Sequence, residues 1–252
     1  MGMPRSAKFG LAVSLLLVLF FIAWTLQVVR GGSLVAFDRD LALTFAETAK
    51  GDQLRRDVMV LFTILGSIPI IGLLAFVGSA WQWRRGDALL GAAWVAIVLA
   101  GGLFEIGLKV SLGRVRPPIE WRDSVAAETT PSFPSGHSMG SMIGYGMLGY
   151  VALGSSRRRR TKFAVLLALA VSIGLIGFSR IYLRAHWFSD VIGGFALGAA
   201  WLAFSLACLA WLRQRGQPNL APTGEALETL GTDGSAAPVP LDAQLDPVTS
   251  TP

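Results

Sequence analysis

The chain has 252 residues, of which 53% are hydrophobic and only 15% charged, with a mean hydropathy of +0.56. A soluble domain carries about 25% charged residues, so the composition excludes an ordinary soluble globule and points to a membrane. The net charge of +6 does not signal nucleic acid, because the basic residues stand in short groups between apolar runs.

The apolar pattern predicts an all-α polytopic protein with six transmembrane helices, over residues 9–29, 58–82, 87–108, 137–155, 163–179 and 188–212. Each is near the ~20 residues that a bilayer requires. The first has an apolar region too long for a signal peptide and no clear small-residue cleavage site after it, so it reads as an anchor. Residues 30–57 then form a long connection. Within it Leu41 and Phe45 are four apart and can share a helical face, which fits a short interfacial helix as well as an irregular loop. The only cysteine, Cys208, lies inside the last apolar run. It implies neither a disulfide framework nor a thiolate metal site. Residues 213–252 hold six of the twelve prolines and no aromatic residue. Such a stretch cannot bury enough apolar surface to fold alone, so a disordered tail is expected after the 1–212 transmembrane domain.

Basic residues set the expected orientation. Arg5 and Lys8 precede the first helix, and Arg84 and Arg85 follow the second. Arg157, Arg158, Arg159, Arg160 and Lys162 follow the fourth, and Arg213 and Arg215 the sixth. With alternating helices all fall on one side, which the positive-inside rule makes cytoplasmic, together with both termini. Glycines recur every four residues at Gly136, Gly140 and Gly144, and again at Gly194 and Gly198. That spacing lets helix backbones approach closely and can draw the fourth and sixth helices together.

Three clusters fall on the opposite, outer side. In the first, Lys109-x6-Arg116-Pro117 supplies fixed positive charge suited to phosphate oxygens. Glu105, one turn earlier, is placed to orient Lys109. In the second, Pro134-Ser135-Gly136-His137, Ser135 can cap the fourth helix and Gly136 lets a ligand come close to the backbone. Free amides at a helix start favour an anion, and His137 stands beside them. In the third, Ser179-Arg180-x5-His186-x3-Asp190, His186 and Asp190 are four apart on one helical face. A carboxylate bonded to one ring nitrogen leaves the other free to attack or to carry protons. His137 and His186 are the only histidines in the chain. Two imidazoles and several cations at one membrane depth point to phosphate chemistry. No His, Cys or carboxylate set has metal-ligand spacing.

Together the clusters match K-x6-R-P, P-S-G-H and S-R-x5-H-x3-D at Lys109, Arg116, Pro117, Pro134, Ser135, Gly136, His137, Ser179, Arg180, His186 and Asp190. They resemble the signature of the type 2 phosphatidic acid phosphatase family, which includes the vanadium haloperoxidases. The resemblance spans about residues 58–212. It implies a metal-independent membrane lipid phosphatase that needs no cofactor. His186 would be the nucleophile, oriented by Asp190, with His137 as proton donor. Lys109, Arg116, Ser135, Gly136 and Arg180 would bind the phosphoryl group. The expected substrate is the terminal phosphate of a lipid phosphate or diphosphate: phosphatidic acid, phosphatidylglycerol phosphate or undecaprenyl diphosphate. A haloperoxidase fits less well, because the scaffold is not soluble. A lipid phosphotransferase would share the first half-reaction, and an anion transporter would place its charges near the bilayer midplane. Arg114, Arg122 and Arg184 lie outside the signature. They read either as interfacial anchors or as contacts to the second phosphate of a diphosphate.

Overall fold

The structure, a computed structural model, describes residues 2–48, 52–155 and 157–216. The described residues are helical, without strands: α1 (Arg5–Arg30), α2 (Ser33–Thr48), α3 (Gln53–Leu65), α4 (Ile68–Arg84), α5 (Ala88–Leu112), α6 (Gly136–Gly154), α7 (Arg159–Tyr182) and α8 (Phe188–Arg215). The expected tail from 217 onward lies outside the described residues. Residues 213–215, read from the sequence as the start of that tail, belong to α8, which continues to Arg215.

Four helices, α1, α5, α7 and α8, are individually long and apolar enough to cross a membrane. The predicted second span, 58–82, is not one helix: α3 and α4 meet at a bend of 47°. The break has a local cause. Pro69 lies in the first turn of α4, where its missing N–H is tolerated, but a helix running through it would lose a hydrogen bond and clash with the preceding turn. Gly66 ends α3, and a Cβ there would lie 2.4 Å from Ile176 Cγ2 and 3.3 Å from His137 Cδ2. The break therefore lets α3 finish against the helices that carry the second and third sequence clusters. By length and composition four helices qualify as spans, or up to five with the bent pair taken as one. The helix that falls short is α6. It has 19 residues and six glycines, and it packs against α4, α5 and α7. A helix enclosed by neighbours needs small residues more than lipid-compatible ones.

The glycine repeats act as packing faces, on different partners. A Cβ at Gly194 would lie 2.6 Å from the Ser135 carbonyl, and one at Gly198 2.9 Å from the Met139 carbonyl. Only glycine admits this approach of α8 to the α6 backbone. The α6 repeat faces elsewhere: Gly144 abuts Ile71 of α4 and Gly136 abuts Glu105 of α5.

α1 lies antiparallel along α8. Its buried residues, Ala7, Ser14, Phe21 and Val28, recur every seven positions, as in a coiled-coil seam. Ser14 Oγ donates to the Ala200 carbonyl at 2.9 Å, and Trp24 Nε1 to the Ser189 carbonyl at 2.9 Å. The remaining face of α1, including Phe9, Leu16 and Val29, is exposed, as expected for lipid contact. The connection after α1 is a helix, α2, which resolves the choice between helix and loop. Phe45 packs on Phe178 and Tyr182 at the end of α7, and Phe37 on Phe188 at the start of α8.

Two sets of contacts define the ends of the bundle. At one end Arg213 of α8 pairs with Asp87 before α5 and donates to Tyr150 Oη of α6. At the other, Arg116 after α5 meets the loop before α8. α5, α6 and α8 therefore run side by side between the same two ends. The three sequence clusters gather at the second end.

Candidate active site

The site forms where α5 stops, α6 and α8 start and α7 stops. Gly113 closes α5 in a left-handed conformation (φ 59°), its N–H bonding to the Lys109 carbonyl. The chain then runs extended through Arg114–Pro117. Ser135 caps α6, with Oγ 3.5 Å from the Ser138 N–H, and its own N–H donates to the Asp190 carbonyl at 3.0 Å. That last bond ties the start of α6 to the first turn of α8.

His186 is 2% exposed. Its Nδ1 lies 3.3 Å from Asp190 Oδ2, which also accepts the Trp187 N–H at 2.9 Å. Its Nε2 lies 3.2 Å from Arg116 Nη1. Guanidinium only donates, so Nε2 must be the unprotonated nitrogen and Nδ1 must carry the hydrogen toward Asp190. This is the tautomer assigned by the hydrogen-bond network. Burial above all, then the charges of Arg116, Arg180, Lys109 and His137, hold the His186 imidazole well below its ordinary value of 6.5. At neutral pH it is uncharged, with its Nε2 lone pair turned to Arg116 Nη1.

Arg116 is the hub of the cation set. Its Nε donates to the Thr130 carbonyl at 2.7 Å, and Nη1 to Glu128 Oε2 and the Ala185 carbonyl, both at 2.7 Å. Burial lowers its pKa, and Glu128 and then Asp190 oppose that shift. An arginine begins so high that it stays cationic. Arg180, 1% exposed, donates from Nη1 to Thr63 Oγ1 at 2.6 Å and pairs through Nη2 with Glu128 Oε1. Its Nε is buried without a partner. Among the described residues it stays unsatisfied, and a buried orphan donor on a cation is costly. Lys109 Nζ lies 2.8 Å from Glu105 Oε1, the orientation expected from the sequence. His137, second residue of α6, has no hydrogen-bond partner for its ring among the described residues. It lies within electrostatic reach of Arg180, Lys109 and Arg116.

All the predicted site residues are thus at one end of the bundle. The sequence reading missed Glu128, which joins the two arginines, and Thr63, which holds Arg180. Neither has a spacing signal: Glu128 is in an irregular segment and Thr63 comes from a helix distant in the chain. The three arginines outside the signature, Arg114, Arg122 and Arg184, all have protein partners. Arg122 donates to the Ala126 and Glu128 carbonyls. Arg184, in a left-handed conformation (φ 55°) that costs a non-glycine residue about 1–2 kcal/mol, bonds to the Trp121, Phe45 and Tyr182 carbonyls. Arg114 pairs with Asp38 and Asp190. All three guanidinium groups bond to protein, yet Arg114 and Arg122 also line an open cavity with Arg116 and Glu128, and Arg122 Nε is buried without a partner among the described residues.

An all-helical bundle with several helices apolar enough to cross a membrane, and a buried imidazole–carboxylate pair beside clustered guanidinium groups at one end, defines a multi-pass membrane protein. The PAP2 superfamily matches residues 89–214, and the chain belongs to it. It is 36% identical over 149 residues to phosphatidylglycerophosphatase B of Bacillus subtilis (strain 168), covering 56% of this chain and 69% of that protein. It is 28% identical over 127 residues to lipid phosphate phosphatase 2 of Arabidopsis thaliana, covering 40% of this chain and 44% of that protein. The crystal structure of a transmembrane PAP2-type phosphatidylglycerolphosphate phosphatase from Bacillus subtilis superimposes with a TM-score of 0.67 at 26% identity, over 82% of this chain and 98% of that one.

Proposed function

We propose that the chain hydrolyses the terminal phosphate of a membrane lipid phosphate through a phosphohistidine on His186, without a metal ion. The observation that carries this reading is the His186 ring, with Nδ1 turned to Asp190 and Nε2 turned to the cation cluster. In the first step Nε2 attacks phosphorus and the bond from phosphorus to the lipid oxygen breaks. His137 gives that oxygen its proton. Lys109, Arg116, Arg180, the Ser135 hydroxyl and the Gly136 amide stabilise the charge on the phosphoryl oxygens. In the second step water attacks phosphorus, its proton passes to His137, and the N–P bond breaks to restore His186 and release phosphate.

Further features support finer points. α6 shares both bundle ends with α5 and α8, which favours it as a sixth span. The basic residues Arg84, Arg85, Arg157–Arg160 and Arg213 then lie at the end opposite the site, which favours an outward-facing site and cytoplasmic termini. Charges gathered at one end disfavour a transporter with a midplane site. Arg122, with an unpartnered Nε among the described residues, lines a cavity with Arg114, Arg116 and Glu128, so the site admits a monophosphate or a diphosphate lipid. Phosphatidylglycerol phosphate, named in the B. subtilis relatives, is the first candidate.

The test is phosphate release by the purified protein from phosphatidylglycerol phosphate, phosphatidic acid and undecaprenyl diphosphate, with EDTA present. Among the described residues no His, Cys, Asp and Glu side chains group as a metal site, so activity is expected to survive EDTA and to fall with vanadate. Strict dependence on added magnesium would overturn the metal-free mechanism, and transfer to an added alcohol in place of phosphate release would recast the enzyme as a transferase.

Glu128 supplies a further expectation. Its carboxylate holds two like charges, Arg116 and Arg180, side by side. Glu128→Gln leaves one acceptor for two donors, and the guanidinium groups should separate. Vanadate inhibition is expected to weaken about tenfold, the scale of one lost charge-assisted contact. Stronger inhibition instead would mean that Glu128 competes with the anion for the same arginines.

A further inference from the structure

The proposed chemistry leaves one buried charge network unused. Arg114 Nη1 donates to Asp190 Oδ1 at 2.5 Å and to Ser189 Oγ at 2.7 Å, and Nη2 donates to Asp38 Oδ2 at 2.8 Å. Asp38, on α2, is 1% exposed. It accepts the Ser189 N–H at 2.9 Å on Oδ1 and the Ser189 hydroxyl at 2.5 Å on Oδ2. Arg114 is therefore clamped between two buried carboxylates, one of which orients His186. Asp38 lies outside the 89–214 segment that matches the superfamily.

We propose that Asp38 and Arg114 are positioning residues for the nucleophile, acting through Asp190. A carboxylate can turn about its Cβ–Cγ bond. Oδ2 of Asp190 serves His186 and the Trp187 amide, so the group keeps its plane only if Oδ1 is also held. Arg114 holds it. A lone guanidinium would be free to swing and would draw charge density away from Oδ2. Asp38 prevents both, by fixing the second arm of Arg114 and by sharing its positive charge. The same carboxylate fastens the first turn of α8 through both polar groups of Ser189. α2 thus completes the orientation of a dyad whose members lie about 150 residues later in the chain.

This inference rests on the covalent reading of His186, and the experiment separates the two. In Asp38→Asn, an isosteric change, kcat is expected to fall at least tenfold while KM stays within about twofold, because the phosphate-binding cations are untouched. The rate of phosphohistidine formation should fall by the same factor. In an Asp190→Asn background, Asp38→Asn should cause little further loss, since the residue through which it acts is already altered. Trp24→Phe, which removes a different bond to Ser189, is the control: it should lower the melting temperature without changing kcat. Unchanged kcat in Asp38→Asn, or a loss that multiplies fully with that of Asp190→Asn, would overturn the proposal. If Asp38→Asn does not fold, Arg114→Lys decides, because lysine keeps the charge but cannot bridge two carboxylates in a fixed plane. It should show the same selective loss of kcat, and failure of both variants to fold would assign the network to folding alone. A parent enzyme that forms no phosphohistidine would remove the covalent reading itself.

Discussion

His186→Ala is expected to abolish turnover, by about 10⁴-fold or more, the scale on which removal of a nucleophile acts in covalent catalysis. The effect is large because no neighbour can substitute. His186 Nε2 is the unprotonated ring nitrogen beside Arg116. The other imidazole, His137, is held on α6 and has no carboxylate bonded to its ring among the described residues. The protein should still fold. Asp190 keeps its bonds to Arg114 and to the Trp187 amide, so the substitution strands no unpaired carboxylate. Two measurements check this. Phosphate release from phosphatidylglycerol phosphate should vanish while the melting temperature stays near that of the parent. Rapid quenching of the parent with radiolabelled substrate should trap an acid-labile, alkali-stable phosphoenzyme that the variant never forms. Turnover near the parent rate in His186→Ala would remove the phosphohistidine from the mechanism.

His137→Ala is expected to slow phosphoenzyme formation from a lipid monophosphate by about 10²–10⁴-fold, the usual contribution of a positioned general acid. The loss should depend on the leaving group. A lipid alcohol departs as a strongly basic alkoxide unless it is protonated, so it needs the acid most. Nitrophenyl phosphate releases a weakly basic phenolate, and its phosphoenzyme should form within about tenfold of the parent rate. Equal losses on both substrates would indicate that His137 binds phosphate and does not carry the proton.

The PAP2 superfamily membership and the cation cluster were legible because they rest on short local patterns. Lys109, Arg116, Ser135, Gly136, His137, Arg180, His186 and Asp190 sit at fixed offsets near helix ends, and helix geometry turns each offset into a face or a cap. The apolar runs were equally legible, since a bilayer imposes a length on each. The break at Gly66–Pro69 also had a sequence signal, a glycine and a proline three apart, which the continuous hydropathy of 58–82 masked.

What the sequence by itself determined is therefore the set of chemical groups and the end of each helix on which they stand. Only the tertiary structure decided how those groups are held. Glu128 reaches Arg116 across 12 residues of chain and Arg180 across 52, and Thr63 reaches Arg180 across 117. Asp38 of α2 reaches the first turn of α8 across 151. Arg114, Arg122 and Arg184 look like free cations in the sequence and prove to be fasteners. The physical reason is common to all of them. A buried charge must find partners, and the helix-to-helix approach that supplies those partners, set by Gly194 and Gly198 against α6, exists only once the bundle has closed.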